Sequence, residues 1–106
     1  MKSQPVEFLE AVEFDLRYAQ DFYDSWQNGG AEKFLTRFRE AVAAISWNPE
    51  QFPKKHRQFR RTIVRRTYFG IYFAIEPEVT IVVAVLDMRR DPRVIRELLG
   101  LRLPAS

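Results

Sequence analysis

Residues 59–87 read FRRTIVRRTYFGIYFAIEPEVTIVVAVLD and contain the segments that decide the fold. The segments 59–66, 68–75 and 80–87 are rich in β-branched and aromatic residues, which favour strands. EPEV at 76–79 predicts a hairpin turn between the last two of them. The segment TIVVAVLD is apolar at odd and even positions alike. Because alternate side chains of a strand point to opposite faces, we expect this strand to lie inside the sheet.

Two amphipathic helices precede these strands. Apolar residues recur every three or four positions over residues 10–27 and again over 31–45, which is the spacing of one helical face. NGG at 28–30 separates the two segments, and NPEQFP at 48–53 ends the second, because proline cannot continue a helical hydrogen-bond ladder. Two helices joined by so short a link predict an antiparallel helical hairpin.

The two ends of the chain complete the predicted fold. VEFLE at 6–10 predicts a short first strand, and Asp91 and Pro92 are typical of an N-cap and a first helical residue. We expect Gly100 to close this last helix and the tail 100–106 to be loose. The predicted fold is α+β, a helical hairpin packed on a small curved antiparallel β-sheet with a short C-terminal helix, in the order β-α-α-β-β-β-α.

The composition limits the class of protein. A chain of 106 residues with 46% hydrophobic and 29% charged residues predicts one globular domain over 1–106, with its core at 5–99. There is no cysteine, which excludes disulfides and thiolate metal sites. No segment has the pattern of a signal peptide or of a membrane-spanning helix. We therefore expect a cytoplasmic protein that does not act at a membrane.

Charge is divided unevenly between the two halves of the chain. Residues 1–53 carry 5 Lys+Arg against 9 Asp+Glu, whereas residues 54–106 carry 12 against 5. Such a division predicts a basic face that meets an anionic partner, either a nucleic acid or an acidic protein segment. A solvated arginine face without a partner is the alternative.

The candidate site residues are arginines on and after the strands. Alternation places Arg61 and Arg65 on one face of the strand 59–66 and Arg60 and Arg66 on the other, so at most half of them serve one surface. Solvation of the outward arginines and pairing of the inward ones with acidic neighbours is the competing interpretation. The one histidine has no companion ligands, and no catalytic triad or phosphate-binding glycine loop is present, so we predict neither a metal nor a cofactor.

VLDMRRDP at 85–92 places two arginines between the last strand and the last helix. Since Asp91 fixes the start of the helix, Arg89 and Arg90 leave the sheet in a defined direction. Asp87 and Asp91 can each engage one of them. We therefore expect one arginine to be partly structural and the other to be free for a partner.

Four stretches, in this order, are similar to those of a known family. EAVEFDLRYAQDFY at 10–23 resembles the first helix of that family. Its second helix, which ends in Asn-Pro, is similar to AEKFLTRFREAVAAISWNPEQFP at 31–53. FRRTIVRRTYFGIYFAI at 59–75 resembles the family's arginine-bearing strand and the aromatic strand that follows it. VVAVLDMRRDP at 82–92 resembles its last strand together with the Arg-Arg-Asp-Pro segment after that strand. Over about residues 5–93 the chain resembles the RelE/ParE superfamily of bacterial type II toxin-antitoxin toxins, more closely the ParE-like, or plasmid stabilisation, branch.

One function that the resemblance implies is RNA cleavage. RelE-type members are ribosome-dependent mRNA endoribonucleases that use basic residues of the sheet and a C-terminal tyrosine. In this sequence the catalytic residues would be Arg61, Arg89 and His56. Two departures weigh against it: Gly70 falls on or near an arginine of those nucleases, and no tyrosine follows Tyr72. Arginine also stays protonated near neutral pH, which suits it poorly for general acid-base work.

The other implied function is growth inhibition by binding, and the departures favour it. ParE-like members inhibit DNA gyrase by protein-protein contact and are neutralised by a cognate antitoxin with an acidic segment. Asp87 stands where many relatives have histidine, so the resemblance does not fix the details of the target contact. An inactive relative that only binds a partner is a third alternative, and a homodimer is compatible with the sequence. We assign target binding to Arg60, Arg61, Arg89 and Arg90, and antitoxin binding to Arg65 and Tyr72.

Overall fold

The computed structural model follows the predicted order of elements and adds one short strand. The structure describes residues 3–104. The strands are β1 (Val6–Phe8), β2 (Lys54–His56), β3 (Phe59–Ile63), β4 (Phe69–Ile75) and β5 (Thr80–Asp87). The helices are α1 (Ala11–Asp24), α2 (Gly30–Trp47) and α3 (Pro92–Arg102), and a 3₁₀ turn covers Pro49–Gln51. The α+β class and the predicted order of helices and longer strands are confirmed.

The strands form one mixed sheet in the order β1-β5-β4-β3-β2. Neighbours among β2 to β5 are antiparallel, as expected, but β1 pairs with β5 in parallel, with Val6 opposite Thr80 and Phe8 opposite Val82. A parallel pair needs a long crossover, and most of the chain lies between these two strands. The sequence did not indicate β2, because Lys54–His56 carries no apolar alternation.

Side chains of β5 serve two separate cores, which confirms that this strand lies inside the sheet. Val82 and Val85 belong to the core between the sheet and the α1-α2 hairpin. Val83, Ala84 and Leu86 belong to a second core, under α3 on the opposite face. The sheet is therefore a middle layer, covered by the hairpin on one side and by α3 on the other.

A β-bulge lets the adjacent residues Val83 and Ala84 face the same core. Ala84 pairs with Tyr72 and Val82 with Phe73, so Val83 is the extra residue opposite that pair. A bulge disturbs the ladder and leaves main-chain groups that need other partners.

An ion pair between Asp15 and Arg102 supplies those partners. Parallel pairing with β1 stops beside Val82, so among residues 3–104 no strand neighbours that edge of β5 from Val83 onward. Asp15 Oδ2 accepts from the Val85 N–H at 2.9 Å, and Arg102 Nη1 donates to the Val83 carbonyl at 3.1 Å. The two side chains also join through hydrogen bonds of 2.6 and 2.9 Å, with Asp15 9% and Arg102 17% exposed. This contact links α1, β5 and α3.

The link between α1 and α2 depends on two glycines, as the NGG segment predicted. Gly29 has φ +80°, a left-handed conformation that glycine adopts without steric cost. A Cβ on Gly30 would lie 2.1 Å from the carbonyl oxygen of Tyr23, so only glycine lets the two helices approach this closely.

Two predicted boundaries were wrong. The last helix does not close at Gly100 but continues to Arg102, because Arg102 binds Asp15 and the flanking Leu103 packs on the core under α3. The tail that we expected to be loose thus contains the last helical residues, and its residues 105–106 lie outside the described part of the chain. The strand predicted over 59–66 ends at Ile63.

Replacing Asp15 tests the ion pair. Asp15→Ala should lower the free energy of unfolding by about 3 kcal/mol, because it leaves the Arg102 guanidinium and the Val85 N–H without partners. Glu13→Ala is the matched control, since it removes an exposed pair with Arg17 on the same helix and should cost less than about 0.5 kcal/mol. Urea denaturation measures both values. Equally small losses would contradict a structural role for the pair.

Candidate functional site

Arg60 binds main-chain groups of its own fold. Its Nη1 donates to the carbonyl oxygens of Phe52 at 2.6 Å and Glu50 at 3.3 Å, and the residue is half-buried. Phe52 packs against the core under the helical hairpin, so Arg60 points to that side of the sheet. Its assignment to target binding does not fit this position, because the guanidinium holds the segment before β2 in place.

Arg61 lies on the opposite face, which α3 covers. A Cβ on Gly70 would lie 3.1 Å from both Cγ and Cδ of Arg61 and 3.0 Å from the sulfur of Met88. The methylene stem of Arg61 therefore occupies the space that a side chain at position 70 would need. A side chain at position 70 would require Arg61 and Met88 to shift by a few tenths of an ångström.

Tyr72 lies completely buried in the core between the sheet and α3. Burial raises the pKa of Tyr72, and its hydroxyl has no hydrogen-bond partner within residues 3–104. Arg61 is close enough to oppose that pKa shift but does not reach hydrogen-bonding geometry. A ring in this position cannot contact an antitoxin, so the assignment of Tyr72 to antitoxin binding is corrected.

His56 lies beside Tyr72 with its ring centroid 6.0 Å from the tyrosine ring. Burial lowers the pKa of His56 below its ordinary value of 6.5, and the positive charges of Arg96, Arg61 and Lys55 lower it further. These surroundings therefore favour the neutral imidazole. The structure thus brings two of the three candidate catalytic residues, His56 and Arg61, into one basic cluster.

Arg89 is held in a fixed orientation on the hairpin side of the sheet. Its Nε and Nη2 donate to both carboxylate oxygens of Asp87 at 2.6 to 3.2 Å. Its guanidinium carbon lies 3.9 Å from the ring centroid of Tyr68 and 5.7 Å from that of Phe22. The hydrogen bonds from Arg89 lower the pKa of Asp87, against the opposing effect of burial. The expectation of one partly structural arginine is confirmed here.

Arg90 differs from its neighbour. It is exposed, and its side chain forms no hydrogen bond or ion pair within the described chain. The expectation that Asp91 would engage one of the two arginines is wrong, because Asp91 caps α3 and binds Arg93 instead. Its Oδ1 accepts from the Arg93 N–H at 2.8 Å, and its Oδ2 from Arg93 Nη2 at 2.9 Å. Arg90 is the arginine left free for a partner.

Exposed rings surround Arg89 and form a surface that the sequence did not indicate. Trp26, two residues after the end of α1, is 60% exposed, Tyr68 before β4 is 39% exposed, and their ring centroids are 5.9 Å apart. Trp26 belongs to the apolar pattern over residues 10–27, and that spacing does not show where an apolar helix face extends beyond the sheet. We call this the Arg89 surface, defined by Phe22, Trp26, Tyr68, Arg89 and Arg90.

Arg65 lies outside the strand on which it was placed. Because β3 ends at Ile63, Arg65 turns toward α2, where its Nη2 lies 3.5 Å from Glu40 Oε1. Its side chain is 72% exposed and remains accessible to a partner. Arg66 follows with φ +63°, a left-handed conformation that reverses the chain toward β4.

The three residues of the nuclease alternative are therefore divided between two sides of the sheet. His56 and Arg61 border the core under α3, whereas Arg89 packs on rings beside α1. Among residues 3–104 no three His, Cys, Asp or Glu side chains form a group that could hold a metal ion. No helix in that part of the chain is long and apolar enough to cross a membrane.

Comparison with known proteins assigns the chain to a family. A family model described as "ParE toxin of type II toxin-antitoxin system, parDE" matches residues 6–92. The chain belongs to this family. It is a ParE-type toxin of a parDE toxin-antitoxin system, and membership of such a system implies an antitoxin partner.

A solved structure supports the fold of this ParE protein. The structure titled "Chromosomal ParDE TA system from P. aeruginosa" aligns with a TM-score of 0.66 at 17% sequence identity, over 77% of this chain and 92% of that chain. At this identity the likeness concerns the fold alone. No curated protein matches the chain significantly in sequence.

The shifted pKa of His56 predicts a pH dependence of stability. Because the folded protein binds this proton less readily than the unfolded chain, stability should fall as the pH drops through and below 6.5. His56→Asn should reduce this loss between about pH 7 and pH 5. Asp87 does not contribute in this window, since its pKa lies below 3.8. Denaturation curves at both pH values measure the effect, and equal pH dependence in the two proteins would contradict it.

Proposed function

We propose that this ParE protein arrests bacterial growth by binding DNA gyrase through protein-protein contact, and that a cognate acidic-tailed antitoxin neutralises it. The observation that carries the proposal is the position of α3, which packs Ile95 and Leu99 on the sheet face that bears Arg61. RelE-type nucleases, as the resemblance implies, use basic residues of the sheet on RNA, and here α3 packs over part of the face that bears Arg61. Gyrase as the target rests on the resemblance to ParE-like toxins, and it would place the protein in the cytoplasm.

The chemistry of the side chains also supports binding over catalysis. Arg61 and Arg89 remain protonated at neutral pH and cannot exchange protons with a substrate. Tyr72 is buried with a raised pKa, so it does not supply an acid or a base at the surface. One observation favours the RNA alternative: the surroundings of His56 favour its neutral form, and it lies near Arg61, so it could accept the proton of a 2′-hydroxyl.

The Arg89 surface has the properties expected of a contact for a protein target. Exposed tryptophan, tyrosine and arginine residues dominate the binding energy of protein interfaces. Asp87 and Tyr68 fix the guanidinium of Arg89 before a partner arrives, so little side-chain entropy is lost on binding. Arg90 adds an unpaired positive charge beside it. We propose that gyrase contacts this surface and that the antitoxin reaches the exposed Arg65.

Controlled expression in bacteria, followed by assays with the purified protein, tests the function. The proposal predicts growth arrest, inhibition of gyrase supercoiling in vitro, and no cleavage of ribosome-bound mRNA. Codon-specific cuts in mRNA with normal supercoiling would support the nuclease alternative and overturn the proposal. Normal growth and normal supercoiling would identify an inactive relative.

Paired variants test the Arg89 surface. Arg89→Ala combined with Arg90→Ala should weaken gyrase binding by roughly tenfold or more and abolish growth arrest, because it removes the oriented and the free cation together. The melting temperature should stay nearly unchanged. Arg65→Ala combined with Arg66→Ala is the matched control, since it removes two adjacent exposed arginines elsewhere and should preserve growth arrest. Equal effects of the two double variants would contradict a specific contact at Arg89 and Arg90.

A further inference from the structure

A basic groove lies along the outer side of α3, beside the turn that joins β2 and β3. It has a volume of about 630 Å³. We call it the α3 groove, and its lining consists of Arg57 from the turn and Arg93, Arg96, Glu97, Gly100 and Leu101 from the helix. None of the residues assigned above to target or antitoxin binding lines it.

We infer that the α3 groove binds an acidic peptide segment of a partner protein, with Arg57 and Arg96 holding its carboxylates and Leu101 packing against one of its apolar side chains. The inference rests on the proposed function only for the identity of that partner, which would be the antitoxin.

Two unpaired guanidinium groups supply the attraction for carboxylates. Arg93 is engaged by Asp91, but Arg57 and Arg96 are exposed and form no hydrogen bond or ion pair through their side chains within residues 3–104. Guanidinium groups bind carboxylates through parallel hydrogen bonds. Burial is the main cause of the lowered pKa of His56, and the charges of Arg96, Arg61 and Lys55 lower it further, in keeping with a positive potential at this end of the sheet.

The lining suits a peptide better than a nucleic acid. Glu97 stands among the arginines and would repel a run of phosphates, and the groove has no aromatic ring on which a base could stack. Leu101 is 79% exposed and offers an apolar contact. Gly100 has no atom within 4 Å of the place where a Cβ would lie, so packing does not require a glycine at this helical position. Its small size keeps the groove open beside Leu101.

The conformation of Arg57 is a second, independent observation. His56 pairs with Phe59 across a two-residue turn, and Arg57 in that turn has φ +53°. Glycine or asparagine adopts this left-handed conformation more readily than arginine does. Arginine does not stabilise this turn conformation, so turn stability does not explain its presence at the rim of the groove. A role in binding is consistent with that position.

Peptide binding to the purified, untagged full-length protein tests the inference. The probe is a ten-residue peptide of alternating glutamate and leucine, and the comparison peptide has glutamine in place of glutamate. His56 is the one histidine of the chain, so its imidazole NMR signals are unambiguous. The glutamate peptide should bind and raise the pKa of His56, because its carboxylates offset the charge of Arg96. Equal binding of both peptides, or no binding at millimolar concentration, would overturn the inference.

Matched glycine variants separate binding from stability. Arg57→Gly should weaken binding of the glutamate peptide by about tenfold or more, because it removes one charge-assisted contact. It should leave the melting temperature unchanged or slightly raised, since glycine relieves the left-handed conformation. Arg66→Gly is the control, because Arg66 is exposed, has φ +63° and follows the far end of β3. A similar weakening in both variants would show non-specific charge attraction and overturn the inference.

Two further outcomes keep this test apart from the proposed function. A ten-nucleotide single-stranded RNA that binds with the same dependence on Arg57 and Arg96, in place of the peptide, would make the groove a nucleic-acid site and overturn the inference. Peptide binding is measured on the purified protein and needs neither gyrase nor growth arrest. A failure of gyrase inhibition with intact peptide binding would therefore refute the proposed target and leave the α3 groove as inferred.

Discussion

The contact between Asp15 and Arg102 is the interaction on which the three-layer arrangement depends. The bulge in β5 and the early end of β1 leave the Val83 carbonyl and the Val85 N–H without strand partners at the edge of the sheet. The carboxylate and the guanidinium satisfy both groups and each other, and they come from helices on opposite faces of the sheet. One contact at an open strand edge thereby fixes α3 relative to the α1-α2 hairpin.

The position of α3 also gives the basic residues on the two sides of the sheet different surroundings. On its side of the sheet, Arg61 borders a filled core next to His56 and the buried Tyr72, and α3 covers part of that face. On the hairpin side, Arg89 is fixed by Asp87 among exposed rings. A fold that covers both faces of its sheet leaves edges and helix surfaces as the accessible sites. Binding to a protein needs no more than this, whereas phosphodiester cleavage needs several groups converging on one atom.

The sequence predicted the features that depend on local periodicity and capping. The apolar pattern of β5 indicated its interior position, the glycines at 28–30 indicated the helix link, and Asp91 indicated the start of α3. The family resemblance, confirmed by the match over residues 6–92, supplied the toxin class. The first three of these signals each lie within one segment of the chain, whereas the resemblance rests on four stretches between residues 10 and 92.

The features that the sequence did not predict depend on long-range contacts. Asp15 and Arg102 are 87 positions apart, so no local sequence pattern indicates that these two residues pair. Tyr72 is buried in a core that brings together segments far apart in the chain, from Phe59 to Leu99. Hydrogen exchange of the backbone amides tests most directly whether α3 stays on the sheet. The account predicts that amides in the last two turns of α3 exchange as slowly as those of β4 and β5, through global unfolding. Exchange in α3 that is orders of magnitude faster, with β4 and β5 still protected, would contradict it.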